Sequence, residues 1–166
     1  MPELKKISLA AVPRALQKAE RYRLLNQSWA TESICLDILE VDPTNQQVIV
    51  MLILALTDQF GDEPRGLARR ARNLLERVTD PYQRAYYHGI IYERLGHAEL
   101  ATQAVHAHAL AHEAITKAMS HFEEAERLRP SANDDAILRW NTCARTLENV
   151  RDMKPDEVTY EPSFGE

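Results

Sequence analysis

Histidine is the residue type that most invites a chemical reading of this chain. His97, His106, His108, His112 and His121 all fall between positions 97 and 121. On one continuous helix His108 and His112 stand four apart and share a face, and His97 returns close to that face eleven residues earlier. Two imidazoles at this spacing can hold a zinc ion when a third ligand arrives from elsewhere. His112 and Glu113 begin the run H-E-A-I-T, but the zinc-protease pattern needs a second histidine where Thr116 stands. The competing expectation is that His108 and His112 line an interhelix stripe with Val105, Ile115, Met119 and Phe122, half-buried and neutral. That packing reading is preferred, so no metal and no other cofactor is expected.

Arginine offers a second chemistry. Arg65, Arg69 and Arg72 lie on one face of a helix, with Arg70 and Arg77 beside them. Guanidinium groups bind carboxylates in a bidentate way, so Arg69 and Arg72 could receive an acidic peptide. The plainer alternative is a solvated helix face with Arg72 and Glu76 as an i,i+4 pair. A third constellation is Arg139, Trp140, Asn141 and Arg145, which puts a large aromatic, an amide and two cations within two helical turns. Aromatic and arginine side chains dominate interface hot spots. Alternatively Trp140 seals the end of the core while Asp134 or Asp135 pairs with Arg139. Tyr82, Tyr86, Tyr87 and Tyr92 form a dense aromatic group that is expected to be core with its hydroxyls at the rim; Tyr86 is the member that could face a partner. No glycine-rich phosphate loop, nucleophile elbow or paired-carboxylate signature is present, and no catalytic residue is assigned.

The elements that must position these residues are helices. Pro13 suits the first turn of a helix running to about Asn26, and Asn26-Gln27-Ser28 is a polar break. A second helix ends at Asp42-Pro43-Thr44-Asn45, which also caps a third over about 46–60. Gly61 is read as its C-terminal cap. A fourth helix starts near Pro64 with a core stripe of Leu67, Ala71, Leu74 and Val78. Asp80 and Pro81 open a fifth. Its end is read either at Gly96, followed by one helix of some thirty residues, or near Gln103, followed by a turn in AVHAHA. Turn chemistry favours Gly96. A seventh helix opens at Ser131–Asn133 and ends near Asn149.

Composition agrees. The chain has 166 residues, 45% apolar and 27% charged, with only five glycines. Its net charge of −5 argues against nucleic acid as a partner. The longest apolar run, Val48 to Leu56, would rise only about 14 Å as a helix, less than half of a bilayer core, so no membrane partner is expected. It is read as a helix buried on all sides. Cys35 and Cys143 stand alone inside apolar patterns and read as small buried hydrophobes, which suits a reducing cytoplasm.

Seven helices in sequential hairpins resemble a tetratricopeptide-repeat protein of about three repeats plus a capping helix. Gly89, Tyr92, Gly96 and Ala101 follow the motif's spacing of glycine, tyrosine, turn glycine and alanine. LEVDP (39–43) and Asp80-Pro81 match repeat ends, and Tyr22 matches within the first helix. The stretch NDDAILRWNTCAR (133–145) resembles a group of small uncharacterised bacterial repeat proteins. Pro43 to Pro81 is 38 residues and Pro81 to Pro130 is 49, against a common repeat of about 34, so the third unit is enlarged. The domain organisation expected is an extension over 1–11, a repeat domain over 12–149 and a flexible acidic tail over 150–166. The resemblance implies an all-α, right-handed superhelical array that binds a protein or peptide in its concave face rather than catalysing a reaction. In peptide-binding members, asparagine and basic side chains on the first helices of repeats hold a C-terminal carboxylate. Asn141 and Arg145 occupy a comparable helix, while the matching lysine and asparagine of the first helix are not evident. A homodimer built on the enlarged hairpin is the structural alternative.

Overall fold

A computed structural model describes residues 2–61, 63–102 and 104–152. A 3-10 turn at Leu9–Ala11 leads into seven helices: α1 (Val12–Leu24), α2 (Ser28–Val41), α3 (Gln46–Thr57), α4 (Pro64–Leu75), α5 (Pro81–Leu100), α6 (Ala107–Leu128) and α7 (Asp135–Asp152). No strand occurs among the described residues, and no helix there is long and apolar enough to cross a membrane. The expected acidic tail lies outside the described residues apart from Val150, Arg151 and Asp152, which continue α7.

Local chemistry sets the starts. Pro13, Pro64 and Pro81 sit in the first turns of α1, α4 and α5, where the missing N–H costs nothing. The Asn45 and Asp80 side chains accept from the backbone N–H groups of Val48 and Gln83, at 3.1 and 2.8 Å. Ends are set differently from the expectation. α3 stops at Thr57 instead of running on to Phe60, and Gly61 does not take the left-handed conformation of a glycine cap. Thr57 folds its hydroxyl back onto the Leu54 carbonyl (2.8 Å), and the next residue, Asp58, turns to neighbouring helices.

Each helix packs against the next. Contacts between α1 and α3 and between α3 and α5 exceed any among the even-numbered helices, so α1, α3 and α5 form one close layer, which Glu93–Arg139 links to α7. α3 is the hub, and none of its residues from Val48 to Thr57 is exposed. Around it gather Cys35 and Ile38 of α2, Ala68, Ala71 and Leu75 of α4, and Ile91 of α5. The adjacent Ile90 faces a second core with Ile115, Phe122 and Cys143. α5 is therefore the wall shared by both cores.

The α5–α6 hairpin is the most extensive contact in the molecule. Gly89 lies under the Phe122 ring and Gly96 under Ile115; a Cβ on either glycine would sit 2.5 Å from those side chains. Both glycines are seven apart, and so are their partners, in antiparallel register. Gly96 is thus a packing residue inside a helix, not a turn. α5 continues four residues beyond it to Leu100, and α6 begins at Ala107. The thirty-residue helix expected after Gly96 is replaced by a helix of 22 residues. The physical reason is that tertiary contact outweighs the roughly 1 kcal/mol that glycine costs a helix interior.

One ion network joins the odd-numbered layer. Asp58, just past α3, accepts from Arg23 of α1 (2.7 Å) and from Arg94 of α5. Arg94 also donates to the Thr57 hydroxyl. All three charged side chains are about three-quarters buried, at 25, 23 and 24% exposure for Arg23, Asp58 and Arg94. Removing the carboxylate leaves two guanidinium groups facing one another. Asp58→Ala is expected to lower unfolding free energy by about 2 kcal/mol in a urea titration, more than Arg23→Ala does; equal losses would show that the network is not shared.

Candidate functional site

The cations of α4 divide into two sets. Arg65 pairs with Glu99 of α5 (3.0 Å) and Arg70 with Glu32 of α2 (2.6 Å), while Arg77, just past α4, donates to the Pro43 carbonyl. Those three tie helices together. Arg69 and Arg72 make no ion pair among the described residues. Arg69 is exposed, and Arg72 does not reach Glu76 but turns toward α5, its guanidinium carbon 5.5 Å from the centre of the Tyr92 ring.

That ring is the floor of an open cleft of about 270 Å³ between α4 and α6. Lys117 of α6 approaches the same ring at 5.8 Å, so two cations share one aromatic face region. Leu95 and Leu110 supply apolar lining. Lys117 is paired with Glu113 (2.6 Å), and Arg65 with the buried Glu99. Counting charges around the cleft leaves Arg72 as the unmatched one among the described residues, so the lining carries one uncompensated positive charge beside apolar side chains.

Beside the cleft, Tyr92 stacks on His88 and His121 (5.5 and 5.6 Å), and the two imidazoles stack on each other at 3.9 Å. Two imidazolium rings cannot both be charged at that distance. Burial, then His121 and Arg72, push His88 down from 6.5 to about 4. His121 is also lowered, mainly by burial, against the pull of Glu124. The pair is therefore neutral at neutral pH.

The sequence-derived candidates fall in separate places. Trp140 packs on the second core and donates its indole N–H to Glu123 of α6 (3.0 Å), the sealing arrangement. Asn141 beside it is half-buried and Arg145 is exposed. Arg139 pairs with Glu93 of α5 (3.3 Å) rather than with Asp134 or Asp135; Asp134 instead pairs with Arg129. Glu93 is only 2% exposed, and its pKa is raised by burial against the attraction of Arg139. Tyr86 lies between Tyr82, Tyr87 and Phe122, with ring centres 5.3–5.9 Å away. Of the expected set, only Arg69 and Arg72 stand together at or beside the cleft.

His108 and His112 are both exposed on α6, which corrects the expectation that they line an interhelix stripe. Ala107, Ala111, Ala114 and Ala118 form that stripe with the expected Ile115 and Phe122, and Val105 lies before the helix, 92% exposed. No group of three or more His, Cys, Asp or Glu side chains suited to a metal ion occurs among the described residues. Both thiols are fully buried and pushed up to about 12, chiefly by that burial. Sequence reasoning missed His88 and Lys117, because their roles appear only once the α5–α6 register is known. No family model, no curated protein and no solved structure matches the chain.

The histidine pair gives a pH prediction. The unfolded chain takes up His88's proton near 6.5, the folded protein only near 4. The stability His88 contributes is full above 6.5 and is lost as pH falls from there toward 4. Glu93 acts in the opposite sense: its raised pKa means its contribution grows as pH falls. Comparing wild type with His88→Gln isolates the first term. Urea midpoints between pH 7 and 4 should fall more steeply for wild type than for the variant; parallel profiles would remove the buried neutral pair from the account.

Proposed function

We propose that this chain is a protein- or peptide-binding scaffold of stacked, tetratricopeptide-like helical hairpins, and that it takes an acidic side chain of its partner into the α4–α6 cleft. The observation that carries this reading is Arg72, without a carboxylate partner among the described residues, held with Lys117 at the Tyr92 ring in an open cleft. Supporting the stacking are α1, α3 and α5, which touch one another as the first helices of consecutive repeats would. The face of that layer corresponds to the concave groove of the repeat family. Three of its cations are already engaged, Arg23 and Arg94 by Asp58 and Arg139 by Glu93. An acidic ligand gains more from Arg72, with the exposed Arg69 on the same helix.

The mode of action is preorganisation. Arg72 is held by the aromatic ring, so little side-chain freedom is lost when a carboxylate replaces water around it. The apolar lining accepts the methylene groups of a glutamate or the flanking residue.

A peptide array with Asp and Glu positions matched against Asn and Gln tests this. Wild type should prefer the acidic members, and Arg72→Ala should lower affinity about tenfold, the loss of one charge-assisted hydrogen bond worth about 1.5 kcal/mol. Equal binding of acid and amide peptides, or an unaffected Arg72→Ala variant, would sink the proposal.

A further inference from the structure

The corner between α1 and α2 gathers three exposed large apolar side chains. Leu24, Leu25 and Trp29 are 82, 57 and 70% exposed. Leu24 ends α1 and Leu25 follows it, and both face outward. Between them and the rest of α1 lie two adjoining hollows that share Lys18 and Tyr22, with the ammonium of Lys18 at 5.8 Å from the ring. Arg14 and Arg21 line one hollow, and Trp29 the other. None of Arg14, Lys18 and Arg21 has an ion-pair partner among the described residues. In a chain of net charge −5, this is a basic and apolar surface at one end of an array. The terminal units of such arrays need a covered or polar outer face. At the other end α7 provides it; at the α1–α2 end no helix does.

The complementary composition lies in the same chain. Residues 155–166, PDEVTYEPSFGE, carry Asp156, Glu157, Glu161 and Glu166, no basic residue, and the apolar Val158, Tyr160 and Phe164. Topology brings the two regions to one pole. Gly89–Phe122 and Gly96–Ile115 make α5 and α6 antiparallel, and short connections impose the same alternation elsewhere. α1, α3, α5 and α7 thus run in one direction. Arg23, Asp58 and Arg94 mark the level of the α1–α2 corner along them, and Glu93–Arg139 carries that level to α7. From Arg139, α7 rises about 20 Å further to Asp152. Packed steps of about 9 Å from α1 to α3 and from α3 to α5, and a like step from α5 to α7 bridged by Glu93–Arg139, separate α7 from α1. The combined distance is roughly 33 Å, and an extended chain from Asp152 to Phe164 covers up to about 40 Å. We propose that residues 155–166 dock on the α1–α2 corner of their own molecule, with carboxylates at Arg14, Lys18 and Arg21 and an aromatic side chain on Leu25 and Trp29.

Trp29 reports on this directly, because Trp140 is the one other tryptophan. In the full-length Trp140→Phe protein, Trp29 should be shielded from acrylamide and emit at short wavelength, equally at low and high protein concentration. Adding Tyr160→Ser and Phe164→Ser should raise the quenching constant and shift emission to the red. Lys18→Glu with Arg21→Glu, two surface changes, should do the same, and salt should weaken the shielding. Far-UV circular dichroism should show all variants equally helical. Trp29 equally accessible with and without the tail changes overturns the proposal. So does shielding that appears only as concentration rises, which would make a second copy the occupant.

Discussion

Two glycines in α5 decide how near α6 can come. Without a Cβ at Gly89 and Gly96, Phe122 and Ile115 sit directly on the α5 backbone. Alanines at 107, 111, 114, 118 and 125 keep the facing side of α6 equally thin. Contacts at these two levels, seven residues apart on each helix, fix the antiparallel register. Everything that follows along the hairpin inherits it. His88 meets His121, Tyr92 meets Lys117, and Leu95 and Glu99 border the cleft opposite Leu110 and Ala114. A shift of one residue in either helix would separate these partners.

Ion pairs tie the helices together on both sides of the protein. Across α1, α3, α5 and α7, Asp58 neutralises Arg23 and Arg94, and Glu93 neutralises Arg139. On the side of α4 and α6, three arginines near α4 are also used as ties, and Arg72 is directed onto Tyr92 instead. Burial governs the remaining polar chemistry. It holds His88 neutral and keeps both thiols protonated.

Much of the fold was legible in the sequence because its punctuation is local. Pro13, Pro64 and Pro81 mark helix starts that need no knowledge of distant residues, and Asn45 and Asp80 cap as their side-chain chemistry requires. The unbroken apolar run of α3 announced a helix enclosed on all sides. Gly96 was misread because a glycine in a helical pattern has two meanings, turn or close contact, and only the partner helix chooses between them. The histidine stripe was misplaced by a similar route. Alanine is a weak hydrophobic signal, so Ile115 and Phe122 are legible in the stripe while Ala107, Ala111, Ala114 and Ala118 are not, and His108 and His112 take their place in the reading. Which arginines would be spent on ties depended on Glu32, Pro43 and Glu99, each more than thirty residues from its partner. The cleft was invisible for the same reason.

The close α5–α6 contact is tested most directly by a double-mutant cycle on Gly89→Ala and Phe122→Leu, read by urea unfolding. Helix propensity alone makes Gly89→Ala stabilising by about 1 kcal/mol. The packing described here makes it destabilising by about 1–3 kcal/mol, since Phe122 is fully buried and cannot move aside. In the Phe122→Leu background the same substitution should cost much less. A Gly89→Ala protein more stable than wild type, with no coupling to position 122, would contradict the account.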